Sequence, residues 1–294
     1  MTTTERLPVA VIGATGQQGR SVIDALRERN IPIRALVRNP DSEPANVLRE
    51  GGVEVVKADQ EDPQSLAESL ADVSALFYMT TFEGPEGTAG EVRRGRAVAE
   101  AAARAAVPHV VYSSVGGADR ETGIPHFDSK FEVEKRLTAL TPATILRPTF
   151  FMENLTAQLS PNDDGEIVIH MPMSGDVPLQ MIAVRDLGRA AARLLLEPGV
   201  HGDAIEVAGD ELTLDRVAAH ASDTFGVPAR FESIPLEYLG DDEDLKAMFR
   251  WFVESPAYQA DLTRSRSLME GVTDLRSWMV KQRAERLAAG GARR

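Results

Sequence analysis

The residues best placed to do chemistry are the closely spaced glycines of Gly13-Ala14-Thr15-Gly16-Gln17-Gln18-Gly19. The apolar run Val9–Ile12 comes before them, and an amphipathic segment beginning at Arg20 follows them. These flanks are typical of a buried parallel strand and a surface helix. Glycines between a strand and a helix allow a tight turn, close approach of the backbone to a pyrophosphate, and close packing of the helix.

The pattern predicts a dinucleotide site, with the phosphates on the free amides at the start of the helix. An ordinary glycine turn between strand and helix is the alternative. We assign six residues of this loop to the phosphates: Gly13, Thr15, Gly16, Gln17, Gln18 and Gly19.

The residue after the next predicted strand favours NADP over NAD as the cofactor. That strand is Ile31–Val37, and Arg38 follows it. An NAD site usually has an acidic side chain here for the ribose 2′-hydroxyl, whereas an Arg accommodates the 2′-phosphate. No Asp or Glu occurs between Ile31 and Asn39. We therefore expect NADP, with NAD as the alternative.

The composition of the chain argues against several other classes of function. The chain has 294 residues, no cysteine and a formal net charge of −13. Disulfides, thiolate ligands and a cysteine nucleophile are excluded, and the acidic balance argues against an extended nucleic-acid surface. The five histidines form no close pair of metal-ligand type, and no apolar run is long enough to cross a bilayer. We expect a cytoplasmic, metal-free chain without a nucleic-acid or membrane partner.

Strand and helix patterns alternate through the first half of the chain. Four further strands are predicted at Val53–Lys57, Ala75–Met79, Val110–Ser114 and Thr144–Leu146. Because parallel neighbours need helical crossovers, this alternation predicts an α/β fold with a Rossmann-type doubly wound parallel sheet. Ligands bind beyond the carboxyl ends of such strands. Loop or polar residues lie at the carboxyl ends of five of the predicted strands: Thr15 to Gly19, Arg38, Asp59 with Gln60, Thr80 with Thr81, and Ser113 with Ser114.

After Pro148 the pattern changes to short strands with proline and glycine turns. We predict a dinucleotide-binding domain at 1–155 and a smaller C-terminal α/β substrate subdomain at 156–294, interleaved with the main sheet. In the second part, Phe249 and Phe252 lie on an apolar stripe of helical spacing. Such a stripe forms either core or a lid over a ligand.

Several motifs occur in a specific order over most of the chain. Besides the glycine loop they are Val37-Arg38-Asn39-Pro40, Ala58-Asp59, Val111-Tyr112-Ser113-Ser114, His126-Phe127-Asp128-Ser129-Lys130, Leu146 to Asn154, and Val184-Arg185-Asp186-Leu187-Gly188. In these motifs the chain resembles the NmrA-like branch of the atypical short-chain dehydrogenases/reductases. That family includes redox-responsive regulators that bind nicotinamide dinucleotides, and also reductases of quinones and other aromatic compounds. The resemblance implies the fold and leaves both activities open.

The resemblance also implies three catalytic positions. Lys130 would anchor the nicotinamide ribose, unless it is a solvated helix lysine. Catalytic members of the superfamily have a Tyr four residues earlier, where this chain has His126. An unperturbed imidazole is able to donate a proton, and packing at the helix entry is the alternative. Ser113 ends a strand where the superfamily places a hydroxyl near the reacting carbonyl, with bonding to nearby backbone as the alternative.

Contacts to cofactor and substrate follow from the same resemblance. Asp59 and Gln60 would line the adenine pocket, unless Asp59 closes the turn after its strand. Pro148 and Phe150 would run beside the nicotinamide, and Asp186 is first a helix N-cap. The predicted substrate-binding residues are Phe151, Met152, Asn154, Phe249 and Phe252.

Two functions from different classes remain open. The aromatic second half favours a reductase that transfers hydride to an aromatic or quinone-like molecule. The loss of the superfamily's Tyr at His126 favours a non-catalytic redox sensor that binds a protein partner. Of the two, we favour the reductase.

Overall fold

The computed structural model describes residues 6–199, 204–254 and 257–291. These residues fall into two compact units, one built from 1–147 and 187–206 and the other from 148–186 and 207–294. The boundary therefore lies at Arg147 rather than at residue 155, and 187–206 return to the first unit. The change of pattern after Pro148 marked the approximate boundary, but pattern alone does not show that a later segment packs against the first unit.

The strands and helices are numbered in chain order. The strands are β1 (Val9–Ile12), β2 (Ile33–Val37), β3 (Glu54–Lys57), β4 (Ala75–Met79), β5 (Val110–Ser113), β6 (Ala143–Pro148), β7 (Phe150–Phe151), β8 (Ile167–Met171), β9 (Pro178–Ile182), β10 (Ala204–Val207), β11 (Asp210–Thr213) and β12 (Ala229–Ser233). The α-helices are α1 (Gln17–Arg27), α2 (Glu43–Glu50), α3 (Pro63–Ser69), α4 (Gly87–Arg104), α5 (Pro125–Thr138), α6 (Val184–Leu196), α7 (Leu214–Phe225), α8 (Glu243–Glu254), α9 (Leu262–Leu268) and α10 (Leu275–Gly291). Short 3-10 helices span Met152–Gln158 and Leu236–Leu239.

A seven-stranded sheet in the order β10-β6-β5-β4-β1-β2-β3 organises the first unit. The neighbouring pairs from β3 to β6 are all parallel. This confirms the predicted Rossmann-type sheet. The strand order reverses between β1 and β4, and doubly wound sheets bind their ligands at such a switch point.

Small residues set how closely the helices of the first unit pack. At Gly95 of α4, an added Cβ would lie 2.4 Å from a methyl carbon of Val133 on α5. At Gly188 of α6, it would lie 2.1 Å from the hydroxyl oxygen of Ser21 on α1. The segment 187–206 thus returns to the first unit through a helix contact that admits no side chain.

The second unit has its own sheets and its own core. Its sheets are β11-β9-β7, with three strands, and β12-β8, with two. The core contains Leu155, Ile169, Met181, Val217 and Trp278, all buried. None of the described helices has both the length and the apolar character needed to cross a membrane.

The glycines of the first loop provide a test of the fold. A Cβ at Gly19 would lie 2.2 Å from the carbonyl oxygen of Gly13, whereas at Gly16 its nearest neighbour would be that same oxygen at 3.4 Å. Gly19→Ala should lower the free energy of unfolding by about 1–3 kcal/mol, because backbone must move to admit the methyl. Gly16→Ala should change it by less than about 1 kcal/mol. Urea unfolding of both variants measures the difference, and equal losses would contradict this packing.

Candidate functional site

A cavity of about 460 Å³ opens at the carboxyl edge of the parallel sheet, beyond the ends of β1 to β4. Loops from four strands line it, so the sheet topology brings together residues far apart in sequence. Six of the predicted cofactor-binding residues line this cavity: Gly13, Thr15, Arg38, Asp59, Gln60 and Thr81.

The start of helix α1 leaves its first backbone amides free of side-chain caps. The N-cap is Gly16, which makes no side-chain hydrogen bond, and the first turn contains no acidic residue. Gly13 has φ +79°, a conformation that favours glycine, and turns the chain from β1 toward the helix. Free amides and the positive end of the helix dipole attract phosphate. A Cβ added at Gly16 would meet only the carbonyl oxygen of Gly13, at 3.4 Å, so no other residue crowds the start of the helix at this position.

Arg38 lines the cavity, and its guanidinium is not paired with a carboxylate among the described residues. It is exposed at the end of β2, and its side chain forms no hydrogen bond or ion pair with any residue in the described parts of the chain. Arg34, on the same strand, is instead paired with Glu54 at 2.9 Å. A free guanidinium can donate two hydrogen bonds to a phosphate, which is the group that distinguishes NADP from NAD.

Asp59 closes the turn after its strand, and it also lies at the cavity where we predict the cofactor to bind. Its Oδ1 accepts a hydrogen bond of 3.0 Å from the amide of Glu61, which closes the turn after β3. The residue also lines the cavity, as does Gln60.

Lys130 belongs to a buried polar cluster rather than to the solvated face of α5. Its Nζ donates to Oε1 of Glu91 at 2.6 Å and to the carbonyl oxygen of Thr80 at 3.1 Å. Oε1 of Glu91 also accepts from the hydroxyl of Thr80 at 2.8 Å, and Oε2 accepts from Ser129. The solvated-lysine alternative is therefore wrong. Thr80, which we predicted to face the cofactor, turns its hydroxyl toward Glu91 and the phenol of Tyr112.

Two tyrosines adjoin this cluster: Tyr112, which is hydrogen-bonded to Thr80, and Tyr78, which packs against Tyr112. The rings of Tyr78 and Tyr112 are 4.7 Å apart. Burial raises the pKa of both phenols, and the carboxylate of Glu134 raises that of Tyr78 further. Among the described residues, none accepts a hydrogen bond from the hydroxyl of Tyr78. Both tyrosines therefore stay neutral near neutral pH, and both are completely buried in the core of the first unit.

The side chain of Ser113 is hydrogen-bonded to a residue of the segment that we predict binds the phosphates. Its hydroxyl donates at 2.8 Å to the side-chain oxygen of Gln18, in the first turn of α1. This partner is neither nearby backbone nor solvent, so it differs from the alternative given above. The bond joins two of the predicted site residues and connects the end of β5 with the start of α1.

His126 lies in the first turn of α5 and is buried. Its ring stacks on Phe82 with centroids 5.0 Å apart, and meets the edge of Phe127 at 4.7 Å. These contacts support the packing alternative more directly than the role of proton donor.

The predicted substrate-binding residues lie in the second unit, and three of them are core. Met152, Phe249 and Phe252 are buried there, and the rings of Phe249 and Phe252 are 5.7 Å apart. Helical spacing marks a core stripe and a lid alike, so it did not separate the two for Phe249 and Phe252, whereas Met152 was assigned from the family resemblance. Phe151 is half-buried and Asn154 is exposed, so both have surface to offer. Of the two predicted nicotinamide neighbours, Phe150 is half-buried and Pro148 is buried.

Asp186 is not an N-cap, because α6 already begins at Val184. Its carboxylate instead accepts at 2.7 Å from the amide of Thr273. The amide of Val184 donates at 3.0 Å to Glu153, which also accepts from the indole of Trp278. Burial raises the pKa of Glu153. Glu153 thus satisfies the helix start that we had assigned to Asp186.

Glu91 is the main site residue that the sequence motifs did not identify. It shares a helix face with Gly95, Val98 and Ala102, at offsets of four, seven and eleven residues, and all four are buried. A carboxylate on an otherwise apolar stripe is the signal that could have found it. Within the described ranges, no group of three or more His, Cys, Asp or Glu is placed to hold a metal ion.

Comparison with known proteins decides the family. The model of the NmrA-like family matches residues 5–279. The chain belongs to the NmrA-like family. An NAD(P)H azoreductase from Xenophilus azovorans is 31% identical over 78% of this chain and 78% of that protein. This confirms the resemblance predicted from the motifs.

Two solved structures are similar over nearly the full chain. The Citrobacter sp. triphenylmethane reductase complexed with NADP(H) is 27% identical, with a TM-score of 0.77 over 93% of this chain and 99% of that one. The Escherichia coli NADPH-dependent quinone oxidoreductase QOR2 complexed with NADPH is 26% identical, with a TM-score of 0.77 over 93% and 98%.

Arg38→Ala should separate the two nicotinamide cofactors. The change removes the hydrogen bonds to a 2′-phosphate, so NADPH should bind about 1.5–3 kcal/mol more weakly, roughly 10- to 150-fold. NADH has no such phosphate and should bind as to the parent. Calorimetric titration of both cofactors measures the difference. The control is Arg104→Ala, which removes an equal exposed charge at the end of α4. If the parent bound NADH as tightly as NADPH, Arg38 would not be a specificity residue.

Proposed function

We propose that this chain is an NADP(H)-dependent reductase that transfers hydride to an aromatic or quinone-like small molecule. The observation that carries the proposal is the cavity at the sheet edge, which is lined by Arg38 and by Gly13 to Thr15, the residues that lead into the uncapped start of α1. Relatives at 26–31% identity, an azoreductase, a triphenylmethane reductase and a quinone oxidoreductase, support the reaction class. Their acceptors are all conjugated molecules. A cytoplasmic location stays a prediction.

Different residues of the first unit bind different parts of the cofactor. The amides after Gly16 hold the pyrophosphate, Arg38 holds the 2′-phosphate, and Lys130 donates to the hydroxyls of the nicotinamide ribose. When bound, NADPH supplies a hydride from its nicotinamide ring. A quinone that accepts this hydride becomes a stabilised phenolate, which can take its proton from water. Such an acceptor needs no tyrosine at the position of His126.

The reductase proposal is tested by NADPH oxidation with a panel of acceptors. A small quinone, an azo dye and a triphenylmethane dye should each be compared, following the nicotinamide absorbance. We expect saturable turnover with at least one of them, faster with NADPH than with NADH. Gly16→Val is the matched control, because its side chain would enter the space proposed for the pyrophosphate, while its Cβ meets only the carbonyl oxygen of Gly13 at 3.4 Å. It should remain folded by circular dichroism but lose cofactor binding and turnover.

A redox-sensing regulator remains the second candidate, favoured by His126 in place of the superfamily's tyrosine. NADPH binding by the parent, with no turnover of any acceptor in the panel, would favour it over the reductase.

His126→Phe should change turnover by less than about tenfold, with NADPH affinity unchanged. General acids contribute typically ~10²–10⁴-fold, so loss of a true proton donor would be evident in steady-state rates. The buried stack on Phe82 tolerates another aromatic ring, whereas His126→Ala should lower the melting temperature by removing it. A loss beyond about a hundredfold in His126→Phe, at unchanged NADPH affinity, would make His126 the catalytic acid instead.

A further inference from the structure

We propose that Glu91 is a positioning residue that holds the ammonium of Lys130 in place for the nicotinamide ribose. The inference rests on the proposed function, because it requires Lys130 to contact a bound dinucleotide. Nothing in the sequence motifs assigns a role to Glu91.

Glu91 is completely buried, and both oxygens of its carboxylate accept hydrogen bonds. Oε1 accepts from Lys130 at 2.6 Å and from Thr80 at 2.8 Å, and Oε2 accepts from Ser129. These partners come from the end of β4 and the first turns of α5. Glu91 therefore connects the two elements that surround the ammonium.

The same bonds define where the ammonium of Lys130 can be. Lys130 has three N–H donors, and two are used by Glu91 and the carbonyl of Thr80. No residue in the described parts of the chain accepts the third. A lysine side chain normally samples many rotamers, and two fixed bonds remove most of that freedom. What remains is one oriented donor, on a side chain that keeps 12% of its surface exposed.

Stability alone gives a weak reason for placing a charged pair here. Desolvation of buried ions often cancels their attraction, and apolar residues of similar size are frequently as stable. The neighbouring face of α4 is made of glycine, alanine and valine, which pack without any such cost. An ion pair next to the carboxyl edge of the sheet is better explained by the donor it presents.

The test is a double-mutant cycle on NADPH affinity, with the variants Glu91→Gln, Lys130→Met and both together. Glu91→Gln and Lys130→Met should each weaken NADPH binding roughly tenfold, as expected for a disturbed charged hydrogen bond. The double variant should bind no more weakly than Lys130→Met alone, because Glu91 acts through Lys130. If Glu91→Gln does not fold, Glu91→Asp replaces it in the cycle, since it keeps the charge but withdraws the carboxylate.

Two controls separate positioning from a general structural role. Adenosine 2′,5′-bisphosphate lacks the nicotinamide ribose, so Glu91→Gln should bind it like the parent. Glu134→Gln breaks another buried ion pair of the same unit, with Arg147 at 2.6 Å, and should lower the melting temperature without changing NADPH affinity.

Each remaining outcome overturns a different statement. If Glu91→Gln binds NADPH like the parent while Lys130→Met does not, the positioning role is wrong and the proposed function stands. If the losses multiply in the double variant, or binding of the bisphosphate falls equally, Glu91 acts on the fold rather than through Lys130. If Lys130→Met binds NADPH like the parent, the cofactor role proposed for Lys130 fails, and this inference fails with it.

Discussion

Helix α1 lies so close to the turn after β1 that one added carbon at Gly19 would overlap the carbonyl of Gly13, at 2.2 Å. This contact fixes the start of the helix at the carboxyl edge of the sheet. There its uncapped amides lie beside the cavity formed by the loops after β1 to β4. The hydroxyl of Ser113 then binds Gln18 in the first turn, so β5 is aligned with the same helix. The pyrophosphate binding that we propose depends on that close approach.

The charges of the first unit are arranged in two different ways around this edge. Arg38 is exposed and uncommitted among the described residues, as a residue that recognises an incoming phosphate should be. Lys130 is held by a buried carboxylate, as a residue that orients a ribose should be. Neither arrangement depends on a side-chain proton donor. This fits an acceptor whose reduced form takes its proton from water, and it explains how His126 can be buried against Phe82 in a reductase.

The sequence predicted the parts of the site that depend on local pattern. The glycine loop, the parallel strands and Arg38 are all encoded by neighbouring residues, and the structure places them at one edge of the sheet. The periodicity of apolar residues was less informative where the role of a helix face depends on what packs against it. Phe249 and Phe252 have the spacing of a lid but lie in a core, and Asp186 lies in the first turn of α6 where Glu153 binds the starting amide. Glu91 was missed because its partners are 11 and 39 residues away.

The central claim is that hydride passes from NADPH to an aromatic acceptor on this chain. Its most direct test is a single turnover of the NADPH-loaded chain mixed with an excess of quinone. NADPH carrying deuterium at either face of the nicotinamide C4 should be compared with unlabelled NADPH. The account predicts one oxidation per chain, at a rate that saturates with quinone and falls with deuterium on one face only. Tight NADPH binding without oxidation above the rate in buffer would contradict it, and would leave a chain that binds the dinucleotide without using it.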